Sequence, residues 1–362
     1  MAANLPPEIG KILEGLFKKA APSEGGDWIA EYVDFNETEV HGIPILRVNI
    51  KDEDMAGLLS KPVGQYSTLQ TGPLGNYDDL ENVCACLTEE LDRYLTPYKG
   101  KTLLICGIGN RDSPADSIGP ETANRIFTHV PMKSAFEKLT VFTPGVSGAT
   151  NISGSTQIAS VSSAIGAACV LLVDSTHCTD YSRLCRCIEL TDAGIKIYHS
   201  GEELSSSTIG LPVISIGIPA AIRVQDLAPD IEASNQDFLT VSNIEAVVRR
   251  ASLMIACAIM RVAYPELDHS ASMMIADYSL LYPHACMLAI CFPRGCAGRS
   301  DQRERKATPK ACSTGRGSGQ SGAWGGAPTS ERRYQNDIAA HCLRDLSECS
   351  DYRYYFLLPV EI

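Results

Sequence analysis

The sequence predicts an α/β protein, a parallel or mixed sheet with helices on both faces. Three observations lead there. The runs Leu103–Cys106 and Cys169–Val173 are wholly apolar, as strands buried on both faces are. A helical pattern runs from Asn243 to Val262, with Ile244, Val247, Val248, Ala251, Ile255, Ala258 and Val262 at 3.6-residue spacing. Between these, strand-like and helix-like stretches alternate, the order expected of a sheet covered on both sides.

Residues 1–39 read as a leader, with an amphipathic stretch at Ile9, Ile12, Leu13 and Leu16 and a break over Ala21–Gly26. Residues 40–265 read as the α/β domain. Ile43–Val48 alternates as a strand does, and Gln65–Leu69 could be another. Leu80, Val83, Leu87 and Leu91 predict a helix up to Leu95, with Pro97 just past its end. After the strand at Leu103–Cys106 comes a long loop to Pro120, then a helix over Glu121–His129. Leu139–Phe142 predicts a strand, Val161–Ala168 a helix, and Cys169–Val173, Arg186–Leu190 and Val213–Gly217 three more strands. Residues 266–362 read as a poorly ordered tail. Gly295 to Arg333 is rich in Gly, Ser, Arg and Lys and cannot bury enough apolar surface to offset its ordering entropy.

Bulk properties narrow the function. A net charge of −12 over 362 residues argues against a general nucleic-acid binder, which carries a basic face. No segment reads as a signal peptide, and no run reaches the roughly 18 apolar residues of a membrane span. The 14 cysteines then read as reduced thiols. Cys84/Cys86 and Cys185/Cys187 have one-residue spacers, whereas zinc sites more often use two. Buried small hydrophobes are the favoured role for them.

Two aspartates follow the apolar strands: Asp116 in GIGNRDSPADSIGP and Asp174 in CVLLVDSTH. Ligands gather at the carboxyl ends of parallel strands. Each residue also has a plainer reading, as a helix cap or turn acid. Taken together they could share a proton, one acting as base on a water and the other as acid. They could instead be ligands of a divalent metal that activates that water, with His177 as a third ligand. Gly107 and Gly109 allow a sharp turn after the strand, but Asp112 stands where a dinucleotide fingerprint needs glycine. The stretch TPGVSGATNISG, with Gly145 and Gly148, could bring backbone N–H groups to a substrate carbonyl. Asn110, Asp192 and His199 are candidate helpers in positioning substrate. No GxSxG elbow is present.

Six segments in this order resemble the spore germination protease family, bacterial aspartic-type endopeptidases that degrade small acid-soluble spore proteins. KPVGQYSTL (Lys61–Leu69) is similar to the family's KPVGxYxTL, and GIGNRDSPADSIGP to its GLGN…TPDALGP. TPGVSGATNISGS, VLLVDS, IELTDAGI and TIGLPVISIGIP resemble its APGVMGxTGIET, I-D-A, IQIxDTGI and TLGVPVIAIGVP stretches. The resemblance spans residues 40–265.

The resemblance implies that Asp116 and Asp174 are the catalytic pair, that no cofactor is needed, and that the substrate is a protein. It also implies a fold like that of the hydrogenase maturation endopeptidases, a zymogen, a homo-oligomer such as a tetramer, and a cytoplasmic place in the forespore or spore core. Membrane and nucleic acid are not expected partners. Two departures stand out. The family's RTDLA-type self-cleavage site has only a loose counterpart in GDWIAEY, and its HPGSG is reduced to His199-Ser200-Gly201. The alternatives are a metal-dependent maturation-type endopeptidase and a non-catalytic paralogue that binds spore proteins.

Overall fold

The computed structural model describes residues 32–281, apart from 60, 76–79, 129, 131, 147–149, 198–199 and 229–236. The chain divides into two units between His284 and Ala285, and the described residues all belong to the first.

Strand β1 (Val33–Val40) turns through His41-Gly42 into β2 (Ile43–Ile50), and the two pair antiparallel along their whole length. Helix α1 (Glu53–Leu59) and β3 (Gly64–Gln70) follow. Helix α2 (Leu80–Leu95) leads to β4 (Thr102–Gly107), a 3-10 turn at Pro114–Asp116, helix α3 (Ile118–Asn124) and β5 (Lys138–Phe142). Then come α4 (Gly154–Ile165), β6 (Cys169–Cys178), β7 (Cys187–Thr191) and the short pair β8 (Ile195–Lys196) and β9 (Glu203–Leu204). Helix α5 (Ser206–Ile209), β10 (Val213–Arg223), α6 (Val224–Leu227), β11 (Phe238–Leu239), α7 (Ile244–Ala263) and α8 (His269–Leu281) complete it.

The main sheet has the order β1-β2-β3-β7-β10-β6-β4-β5, with β11 on the far end of β10. One half is parallel: β10, β6, β4 and β5 run together. The other half is antiparallel, from β7 through β3 and β2 to β1. The expected mixed sheet is thus observed. The two central parallel strands carry the continuous apolar runs, Leu103–Cys106 in β4 and Cys169–Val173 in β6, and β4 is buried at all six positions.

Alternation sorts the side chains onto two faces. On one, Leu104, Cys106, Val170, Leu172 and Val213 pack against Ile158 of α4 and Ile209 of α5. Further along the same face, Leu46, Val48 and Ile50 pack against Met55, Ala56 and Leu59 around α1. The other face carries the longer helices. The Arg47–Glu90 ion pair joins β2 to α2, and Cys84 of α2 meets Cys257 of α7. Glu90, 1% exposed, receives Arg47 Nη2 at 2.6 Å, Arg93 Nη2 at 2.7 Å and Ser67 Oγ at 2.6 Å. Burial pushes its carboxyl up, and these three donors hold it below the usual range.

Several expectations are corrected. The leader was expected to reach residue 39, but the sheet starts at Val33, which is buried. The domain does not stop at 265, because α8 follows with Ala271, Ile275 and Ala276 buried. The helix expected at Val161–Ala168 is α4, which starts seven residues earlier. Ser153 caps it by accepting from Thr156 N–H at 3.2 Å, and Gly166 ends it at φ +65°. Small residues in its first turns had masked the period. The eight described cysteines outside the tail are all buried thiols. Among the described residues no helix is long and apolar enough to cross a membrane.

Candidate active site

Asp116 is placed by a glycine interlock. A Cβ on Gly119 would fall 2.2 Å from Ile108 O and 2.3 Å from Val173 O, and one on Gly107 would fall 2.3 Å from Gly119 O. Helix α3 therefore starts in direct backbone contact with the end of β4 and the middle of β6, which only glycine permits. Gly109 turns the chain at φ +122°, where a side chain would collide with Asp116 O at 2.1 Å. This closes the loop so that Asn110 N–H donates to Asp116 Oδ2 at 2.9 Å. The helix cap is Ser117, so the plain capping role does not describe Asp116. Asn110 acts through its backbone, while its side-chain Oδ1 accepts from Asp112 N–H at 3.0 Å. Asp112 itself is exposed.

Asp174 lies within β6, not at its end, since the strand runs on to Cys178. Pairing with β4 stops at Val173, and beyond that point β6 keeps only β10 as neighbour. Asp174 is thus the first residue past the shelter of β4. Its partner in register is Gly217, which is opposite Glu189, which is opposite Thr68. Directly opposed residues share a face, so Asp174 and Glu189 flank a position with no side chain. Burial pushes the Asp174 carboxyl up, the charge of Asp116 pushes it further, and the Ser175 backbone N–H partly offsets both; it is raised to about 8. At neutral pH Asp174 therefore keeps its proton.

Both aspartates line one cavity of about 720 Å³. Gly145, at φ +74°, lies on its wall between Pro144 and Val146. Ser175, His177, Glu189 and Glu202 also line it. Glu189 is ion-paired with Arg183. Glu202 takes Gly154 N–H at 3.1 Å and Ser155 N–H at 2.7 Å, capping α4 from across the wall. Sequence reasoning missed Glu189 and Glu202, because the register that faces one to the cavity and the contact that sets the other against the start of α4 join residues far apart in sequence.

The remaining candidates separate. Asp192 lies beside the cavity lining, where its Oδ1 accepts from Gln65 N–H at 2.7 Å and fixes the start of β3. His177 stands edge-on to Phe238, with ring centroids 6.3 Å apart. Burial and the nearby Arg223 charge hold its imidazole below the usual value. Gly148, His199 and residues 26–31 lie outside the described residues. Among the described residues, Asp116, Asp174 and His177 do not bring three donor atoms within 4.8 Å of one another. As placed, the three do not meet around a single ion.

Fold and site together define an α/β protein with paired carboxylates at the C-terminal limit of a parallel strand pair. The family model "Germination protease" matches residues 18–239, more than half of the chain, and the chain belongs to that family. It is 27% identical over 232 residues to a germination protease of Oceanobacillus iheyensis, covering 59% of this chain and 63% of the relative. A germination protease of Clostridium tetani is 26% identical, covering 55% and 66%. One from Bacillus licheniformis is 30% identical, covering 54% and 57%. The chain thus spans less than two thirds of each of these relatives. Among solved structures it is similar to the [NiFe] hydrogenase maturation protease HycI of Thermococcus kodakarensis. That match has 18% identity and a TM-score of 0.30, and it covers 47% of this chain and 99% of that one.

Proposed function

We propose that the chain is an endopeptidase of the aspartic type that hydrolyses small acid-soluble spore proteins during germination. The observation that carries this is the unequal pair in one cavity: Asp174 holding a proton at neutral pH beside Asp116. Membership of the germination protease family supports it. In this reading a water sits between substrate carbonyl and Asp116, which takes its proton as the oxygen attacks. The Asn110 N–H holds Asp116 Oδ2 in place for that step. Asp174 then gives its proton to the departing amide nitrogen, and the proton taken by Asp116 passes to Asp174 through water, which restores the pair for the next turnover. In the same reading, a backbone N–H beside Gly145, on the cavity wall, polarises the carbonyl.

The test is cleavage of a purified small acid-soluble spore protein by the full chain. Asp116→Asn and Asp174→Asn should each slow cleavage by at least about 100-fold, the usual worth of a general acid or base, with the circular dichroism of the parent. Parent-like turnover by either folded variant would reject the mechanism. Addition of a chelator should leave the rate unchanged.

A further inference from the structure

On the face of the sheet away from the aspartates, three helices bring together Cys84 of α2, Cys257 of α7 and His269 at the start of α8. One donor atom from each lies within 4.8 Å of the other two. Both cysteines are 0% exposed, and their sulfurs are 3.1 Å apart. His269 Nδ1 is buried and has no hydrogen-bond partner. A buried ring nitrogen left unpaired costs ~1–3 kcal/mol, so its direction asks for an acceptor of its lone pair or proton. We propose that Cys84, Cys257 and His269 are the ligands of a zinc ion that fastens α8 to α2 and α7.

The chemistry suits that ion. Two thiolates and an imidazole select zinc over the oxygen-seeking magnesium and calcium. Bonds of about 2.3 Å in a tetrahedron set sulfurs about 3.8 Å apart, so the two thiols separate by about 0.7 Å from their 3.1 Å contact. Each loses its proton as the metal enters. The surroundings supply partners for the thiolates. Arg261 Nη1 points at Cys84 Sγ from 3.9 Å, and Ser272 Oγ is 2.7 Å from Cys257 Sγ. Such outer donors steady metal-bound sulfur. A water completes the fourth position and enters past His269, the partly exposed member. The two ligands Cys84 and Cys257 lie 173 residues apart, so no CxxC spacing announces the site.

The test uses the full chain, purified with reductant, stripped by chelator and titrated with Co²⁺ and then Zn²⁺. One cobalt per chain should bind, giving a thiolate-to-cobalt charge-transfer band and the visible bands of a tetrahedral site, and zinc should displace it. Cys257→Ser should abolish the charge-transfer signal of this site. His269→Ala, at a partly exposed position, should weaken binding by at least about 10-fold, the loss that even an outer partner produces. Cys185→Ser, in the CxC pair elsewhere, should leave it unchanged. Absence of the band in the folded, reduced parent would overturn the proposal, as would its persistence in both Cys257→Ser and His269→Ala. A Cys84–Cys257 disulfide in protein whose thiols were blocked at lysis would also overturn it.

Discussion

Asp174 was legible as a carboxylate after an apolar run, and its burial follows from that run. Burial is also the main cause of its raised pKa; the further push from Asp116 was not legible, because that residue arrives from 58 positions earlier through a loop whose shape is set by Gly109 and Gly119. The consequence for activity has a definite sign. With the Asp174 pKa near 8, its proton is present below that pH and lost above it. Cleavage should therefore be steady towards neutral pH and fall by up to about tenfold per unit beyond about 8. A pH–kcat profile checks this, and an alkaline limb placed well below 7 would contradict the role given to Asp174. Glu189 shows the limit of local reading. It sits in IELTD like any strand acid, and only the register through Gly217 turns it towards Asp174.

At the scale of elements, long periodic stretches were read well. The helix expected over Asn243–Val262 is α7, at Ile244–Ala263, because its apolar face decides its state without help. Short or small-residue elements were not. Helix α1, the β8–β9 pair and the first turns of α4 owe their form to contacts elsewhere, such as the Glu202 carboxylate at the α4 start. The tightest such contact is between α3 and the strands. Gly119→Ala places a methyl 2.2 Å from Ile108 O and 2.3 Å from Val173 O, with only backbone to give way. We expect a loss of ~3 kcal/mol in urea unfolding. Folded protein should also lose cleavage, since Asp116 moves with the helix start. A variant as stable as the parent would show that α3 does not lie so close.

For the molecule as a whole, the mixed sheet was legible from strand composition, since the central parallel strands β4 and β6 carry continuous apolar runs and β2 alternates. The strand order was not, because β3 pairs with β2 on one side but on the other with β7, not with β4, the next strand in sequence. The buried Glu90 ties the antiparallel half of the sheet to its helix by joining β2, β3 and α2 through Arg47, Ser67 and Arg93. Glu90→Gln should cost ~2 kcal/mol in thermal or urea unfolding. That is less than the 3–5 of a dry pair, because Arg93 is 44% exposed and water takes up part of the loss. A change within error would mean the network adds nothing. The proton on Asp174 also reaches the whole chain. An unfolded aspartate releases its proton near 3.9, whereas the folded one holds it to about 8. Between those values unfolding sets a proton free, so each unit of rising pH removes up to ~1.4 kcal/mol of stability through this one group. The stability tied to this proton is thus withdrawn between about 4 and about 8, whereas the acid of the site is lost beyond about 8, so the sheet loosens before cleavage fails.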